Sequence, residues 1–346
     1  MWKTFTLLLI TLNACSCFQS KSDYHALSLP KKITTFSVGF YNVENLFDTI
    51  DDPEIIDEEY LPSAEKEWNS IRYNHKLQNL SKVISSESKK QLPLFVGLCE
   101  IENETVLRDL INQPNLKKGD YEYIHYDSPD QRGIDVGLIY QKKYAVVKNS
   151  KKISVSLPEG KPTRDILMVE LALYNNESIH VFVNHWPSRR GGEQESEINR
   201  ITAAKTLKKE VDSILEKNSS ANIIIMGDFN DSPFNNSILS YLKADTTVSE
   251  NQLFNVSYSL AKNKVGTHNY QGEWAMLDQI IISQNMFSNN SKLRLKEPQV
   301  HILNYEWMMY EHPKYKDLRP NRTYSGNTYH GGYSDHLPIF IKLTNK

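Results

Sequence analysis

Cysteine is almost absent. The chain of 346 residues holds three, and two of them, Cys15 and Cys17, stand in the N-terminal leader. Cys99 is left without a partner, which excludes an internal disulfide framework. It follows the apolar stretch LPLFVGL, the setting of a buried structural thiol rather than a nucleophile. Long hydrophobic runs are also missing. The apolar run Phe5–Leu12 is too short to cross a bilayer. Charge of one sign is not in excess: 40 Lys and Arg stand against 42 Asp and Glu, a net charge of −2. That excludes a protein that coats nucleic acid by bulk electrostatics. A polyanionic substrate would have to be met by a local patch or a metal ion. Internal repeats and low-complexity linkers are lacking as well.

The leader MWKTFTLLLITLNACSC has its own grammar. Lys3 gives a positive n-region and Phe5–Leu12 an apolar h-region. Leu12–Cys15, LNAC, resembles a bacterial lipobox. The expectation is a signal peptide over residues 1–17, cleaved before a lipidated Cys15. A tether over 18–33 and one catalytic domain over 34–346 follow. The chain would be exported, facing the periplasm or the cell surface, with the lipid as its sole membrane attachment. An ordinary signal peptide cut near Ala14, or modification at Cys17, is the alternative.

Beyond the tether, 39% hydrophobic and 24% charged residues fit a globular domain with a sizeable core. Short β-branched runs predict strands at 35–43, 92–98, 134–140, 166–174, 178–184, 222–227, 279–283 and 337–343. Several are apolar throughout, as strands buried on both faces would be. Amphipathic patterning predicts helices near 68–85, 103–113 and 193–216, the last through Ile198, Ala203, Leu207, Val211 and Leu215. The pattern reads as one α/β domain of two packed sheets flanked by helices.

Acidic, amide and imidazole residues fall where these strands stop or start. Asn42 and Glu44 follow the first, Glu100 and Glu102 the second, and Asn184 and His185 close HVFVNHW. Asp228 and Asn230 follow three isoleucines, Asp278 precedes QIIIS, and Asp335–His336 precede the last strand. Any one could be a turn or a cap. Six together point to a site on one sheet edge. Oxygen donors without clustered Cys or His suit Mg²⁺ or Mn²⁺ rather than Zn²⁺.

The segments YNVENLFD, CEIEN, RGIDVGLIY, NHWPS, MGDFND, LDQII and SDHLPI resemble, in order and spacing, the endonuclease/exonuclease/phosphatase superfamily. That superfamily includes pancreatic deoxyribonuclease, abasic-site endonucleases, sphingomyelinases and inositol polyphosphate 5-phosphatases. The resemblance runs from about residue 35 to 344 and implies a four-layer α/β sandwich, two packed mixed sheets flanked by helices. It also implies hydrolysis of a phosphate ester by in-line attack of water. Glu100 would be the principal Mg²⁺ ligand (Mn²⁺ serving equally), with Asn42 and Asp335 assisting. Asp228 would orient or deprotonate the water, and Asn230 would donate to a phosphate oxygen. His336 would be general base or charged phosphate contact, held by Asp278. His185 would touch phosphate or the leaving group, and by analogy Asp135 pairs with it. Asp228 and Asn230, two apart, would share a strand face. Arg132, Arg189 and Arg322 are the candidate substrate contacts, Arg322 in a Tyr-rich loop that could stack on a base or be packed by its own aromatics.

The inositol-phosphatase signature is replaced by GEWAMLDQII, and His185 stands where abasic-site endonucleases carry Asn. NVENLFD and NHWPSRRGG are similar to exported bacterial members called endonucleases. The first expectation is a phosphodiesterase acting on nucleic acid outside the cytoplasm. The runner-up is a lipid-headgroup or small-molecule phosphoesterase, and the third reading a surface binding protein without catalysis. No protein partner is implied, and a monomer is expected.

Overall fold

Along the long strands, side chains alternate between two buried faces. In the strand Thr35–Leu46, Val38 and Phe40 enter one apolar cluster while Tyr41 and Val43 enter another. In the strand Asn222–Asp228, Ile224 and Met226 enter the first of these clusters, while Ile223 and Ile225 enter a third. Strands apolar on both faces must sit inside a layered structure. The computed structural model describes residues 35–174, 177–246, 253–288 and 291–345. The expected signal peptide, Cys15 and the tether lie outside the described residues.

The sheet strands, in chain order, are β1 (Thr35–Leu46), β2 (Phe95–Ile101), β3 (Tyr121–His125), β4 (Asp135–Gln141), β5 (Ala145–Ile153), β6 (Ile166–Leu173) and β7 (Ser178–His185). They continue as β8 (Asn222–Asp228), β9 (Ala244–Asp245), β10 (Leu253–Asn255), β11 (Asp278–Ser283), β12 (Leu293–Leu295), β13 (His301–Ile302) and β14 (Ile339–Asn345). One sheet runs β12–β14–β1–β2–β4–β3, with β13 also on β14; the other runs β5–β6–β7–β8–β11–β10–β9. Both are mixed: β1–β2 and β7–β8 are parallel, β1–β14 and β8–β11 antiparallel. Val38, Phe40, Val181, Met226, Ile280 and Ile341 fill the space between them.

Helices α1 (Ser70–Ser85) and α2 (Glu104–Ile111) cover the outer face of the first sheet through Leu77, Leu80, Val106 and Leu110. Helix α3 (Glu197–Lys217) covers the second through Ala203, Ala204, Leu207 and Val211. The order is helices, sheet, sheet, helix, the expected four layers.

All eight expected strands and three helices form, with shifted ends. Helix α3 starts at Glu197, not at 193, because the preceding turn holds Arg200: Glu193 O accepts from its Nη2 at 2.7 Å. Ile198, expected inward, is 51% exposed, and Ile201 is buried instead. Strands β3, β5, β9, β10, β12 and β13 escaped the pattern. β5 is an edge strand whose Lys148, Lys151 and Lys152 face solvent, a guard against further pairing.

Strands β7 and β8 approach closely at the end that carries His185 and Asp228. A Cβ on Gly227 would lie 2.4 Å from Asn184 O and 2.6 Å from Asn184 Cβ. Gly227→Ala should therefore destabilise the protein by about 1–3 kcal/mol, as overpacking does, read from the urea midpoint. An unchanged midpoint would show that the two strands can part there without cost.

Candidate active site

The second sheet aligns three polar residues across one rung. His185 is opposite Asp228 in the parallel pair, and Asp228 is opposite Asp278 in the antiparallel one. All are buried. Asp228 and Asp278 continue the rows of Met226 and Ile280 and so project between the sheets.

The first sheet supplies its groups by irregularity. Asn42 continues the Val38–Phe40 row, after which the β1–β2 register shifts. Regular alternation would send Glu100 toward the helices with Val96 and Leu98. Instead β2 bulges against β4 between Cys99 and Ile101, with Glu100 at φ 61°. The bulge re-aims the carboxylate. Asn42 Nδ2 donates to Glu100 Oε1 and to Asp228 Oδ2, both at 3.1 Å. One side chain thus joins carboxylates from the two sheets. Its Oδ1 accepts the Glu44 N–H at 3.0 Å, and because a backbone N–H only donates, this fixes the amide. Asn42 therefore meets the carboxylates as a donor, where an oxygen ligand to metal was expected.

His336 precedes β14. Its Nδ1 bonds Asp278 Oδ2 at 2.7 Å, and its Nε2 stands 3.8 Å from Asp228 Oδ2. His185 Nε2 is likewise 3.8 Å from Asp228 Oδ2, and 3.9 Å from Glu100 Oε1. The two imidazoles are pushed in opposite directions. Burial alone would lower both. At His336, Asp278 and Asp228 overcome it and hold the proton well above the ordinary value. At His185 burial is reinforced by Arg164, Arg132 and His336, so the ring is neutral. Burial, followed by the charge of Asp335, raises the Glu100 carboxyl; burial also raises Asp228. Asp335 goes the other way: burial is outweighed by Arg322, His336 and His268, which bring it to about 2.

Asp335 and His336 are neighbours with separate partners, Arg322 Nη2 at 2.9 Å for the first and Asp278 for the second. Asp135 does not pair with His185. Its oxygens accept from Ser128 N–H at 2.9 Å and bond His125 Nε2 at 3.0 Å. Among the described residues His185 Nδ1 has no hydrogen-bond partner. Asn230 is not on the strand. It lies in a left-handed turn (φ 50°) whose N–H returns to Asp228 Oδ1 at 2.9 Å, while its Nδ2 donates to Trp186 O at 3.0 Å. Turn geometry, not strand alternation, keeps it beside Asp228. Arg189 is tied to the protein, donating to Asn230 O at 2.7 Å and Glu193 at 2.9 Å. It braces that turn rather than standing free for a substrate. Arg132 has a half-exposed side chain and lies near enough to His185 and Glu100 to act on both. The Tyr-rich loop, residues 310–336, packs in part on itself, as in the stacked Tyr310–His330 pair and Arg319 over Tyr315.

Three participants were not read from sequence. The His268 ring lies 4.7 Å from His336, and burial with the charge of His336 lowers it to about 4. Arg164 donates to His185 O, Trp186 O and Asp130. Lys76 is buried beside Glu44. Arg164 was visible as a polar residue just before β6, and His268 opens the short hairpin strand His268–Tyr270. Lys76 was visible as a charge on the apolar face of α1.

A sequence model of the endonuclease/exonuclease/phosphatase family matches residues 37–345. The chain belongs to this family. Endonuclease/exonuclease/phosphatase proteins are in general metal-dependent phosphoesterases. No curated protein matches the sequence. Solved structures do match in fold. The human Nocturnin catalytic domain with bound sulfate is 16% identical, over 90% of this chain and 95% of that one, with a TM-score of 0.54. A mannosyl-6-phosphatase of Bacteroides thetaiotaomicron is 14% identical over 89% and 99%, TM-score 0.56. D. rerio TDP2 with a single-strand DNA product is 14% identical over 90% and 99%, TM-score 0.54. At such identities the likeness concerns the fold alone.

Asp278→Asn should bring the protonation midpoint of His336 down, since the first opponent of burial is lost. Imidazole NMR titration reads this directly, and an unmoved midpoint refutes it. The linked stability has a definite sign. A raised folded-state value means that the His336 contribution is full below about 6.5 and fades as pH rises through the raised value. The variant should lack that contribution.

Proposed function

We propose that this chain is a Mg²⁺-dependent phosphodiesterase that acts on nucleic acid, exported behind a lipidated Cys15. The observation that carries the reading is the convergence of Asn42 and Glu100 from one sheet with His185, Asp228, Asp278 and His336 at the edge of the other. Asp228 is central to it. Burial raises its carboxyl and makes it the stronger base for orienting and deprotonating water. His336, kept protonated by Asp278, offers a positive Nε2–H to a phosphate oxygen. Neutral His185 faces Asp228 from the other side and serves the leaving oxygen.

The donor set fits a hard cation. The carboxylates of Glu100 and Asp335 are close enough to repel, Asp335 being the first charge that raises Glu100. They offer oxygen ligands. Glu100 and Asp335 would hold the ion, flanked by the Asn42 amide. When bound it supplies Lewis-acid neutralisation of phosphate oxygens.

Nucleic acid is favoured by the half-exposed Arg132 and Arg322 and by Tyr270, 68% exposed on the hairpin that presses His268 against His336. Such a ring can stack on a base. TDP2, solved with a single-strand DNA product, shares the fold. The competing reading is a small phosphate ester, favoured by the scarcity of free cations at the rim and by the fold shared with a mannosyl-6-phosphatase.

Single-stranded DNA, duplex DNA, RNA, sphingomyelin and sugar phosphates, each offered with Mg²⁺ and with EDTA, separate these readings. Cleavage of polynucleotide that EDTA abolishes is the expected result. Turnover of sugar phosphate alone would select the competitor. His336→Ala should lower kcat by about 10²–10⁴-fold, and full activity in that variant would overturn the mechanism. Glu100→Gln should abolish Mg²⁺-dependent activity and weaken Mg²⁺ binding measured by calorimetry.

A further inference from the structure

Lysines are rarely buried unless paired, and Lys76 is 1% exposed. It sits on the face of α1 that also buries Tyr73, Leu77 and Leu80. Its Nζ donates to Thr323 Oγ1 at 2.5 Å and Tyr333 O at 2.8 Å, and stands 3.6 Å from Glu44 Oε2. Glu44 is buried and held at φ 52° where the β1–β2 register breaks. Its carboxylate accepts the Thr323 N–H at 2.7 Å and Arg322 Nε at 3.2 Å. Arg322 Nη2 then reaches Asp335 at 2.9 Å. One turn further along α1, Asn79 Nδ2 donates to Gly331 O and Gly332 O. Those carbonyls sit where a Cβ on Gly332 would lie 2.0 Å from Asn321 O. Helix α1 thus grips both ends of the segment that carries Arg322, Asp335 and His336.

The chain of charges runs from a dry core to the opening. Arg322 is 39% exposed in its side chain, and its Nη1 makes no hydrogen bond among the described residues. Two carboxylates fix the other nitrogens, so the free edge is held still. We propose that Lys76 is a positioning residue which, through Glu44, orients Arg322 to clamp a phosphate oxygen of the substrate. This rests on the phosphoesterase reading above. A merely structural anchor would not need these charges, since apolar side chains of similar volume often replace buried ion pairs without loss of stability. A planar, two-point-anchored guanidinium is what recognition of phosphate oxygens does require.

The test is a double-mutant cycle on the full chain: Lys76→Met, Arg322→Gln, and both together. The probes are inorganic phosphate, bound in the presence of Mg²⁺ and followed by calorimetry, and bis(p-nitrophenyl) phosphate, followed by hydrolysis. Each single variant should weaken phosphate binding and raise KM about tenfold, as loss of a charge-assisted hydrogen bond does, with kcat changed much less. The double variant should be no weaker than Arg322→Gln alone. Losses that multiply would overturn the proposal, as would a lower melting temperature with unchanged phosphate affinity. Where Lys76→Met does not fold, the near-isosteric Glu44→Gln enters the same cycle with the same expected result. A wild-type protein that binds no phosphate and cleaves no diester defeats the site reading and this proposal together. Wild-type binding with multiplicative losses defeats only the role of Lys76.

Discussion

The rim is organised by the 2.7 Å bond from His336 Nδ1 to Asp278 Oδ2. His336 leads into β14 of the first sheet, and Asp278 opens β11 of the second. Together with the Asn42–Asp228 bond, this contact couples at the rim two sheets that meet elsewhere through apolar side chains. Both groups are buried, and neither charge would be tolerated there alone. Asp228, one strand over on the same rung, then lies between the protonated His336 and the neutral His185, each 3.8 Å from its Oδ2. Asn42 supplies the remaining donor, so carboxylates that would repel each other share an N–H₂ group instead.

Backbone conformation follows the same logic. Of the ten non-glycine residues with positive φ among the described residues, four belong to this rim: Glu44, Asn45, Glu100 and Asn230. Each such residue costs on the order of 1–3 kcal/mol. The pairings that over-determine them are specific. Asn45 N–H bonds Glu100 Oε2 at 2.9 Å, and Asn230 N–H bonds Asp228 Oδ1 at 2.9 Å. The carboxylates that define the site also hold the strained turns that present it.

The layered fold was legible because its strands are apolar on both faces and short, a pattern that only internal strands carry. The edge strand β5, polar and rich in lysine, gave no such signal. Among site residues, Asp228 and Asp278 follow regular alternation, continuing rows that end between the sheets. Glu100 and Asn230 do not. Glu100 reaches the rim only because β2 breaks register, and Asn230 only because the chain turns left-handed after Asp228. Pairings between side chains were the least legible. Analogy with the resembled superfamily suggested Asp135 with His185, whereas His125, ten residues before Asp135 and on the adjacent strand, claims the carboxylate.

The alternating rows have one more consequence. Met226 lies two residues before Asp228, and Val38 and Phe40 lie before Asn42, all in the same apolar layer. The thickness of that layer sets the gap across which Asn42 and Asp228 hold their 3.1 Å contact. Interior volume thereby calibrates the spacing across the candidate site. A core packed one methylene thicker or thinner is felt, here as a change in how far apart the polar groups of the rim are held by apolar side chains buried beneath it.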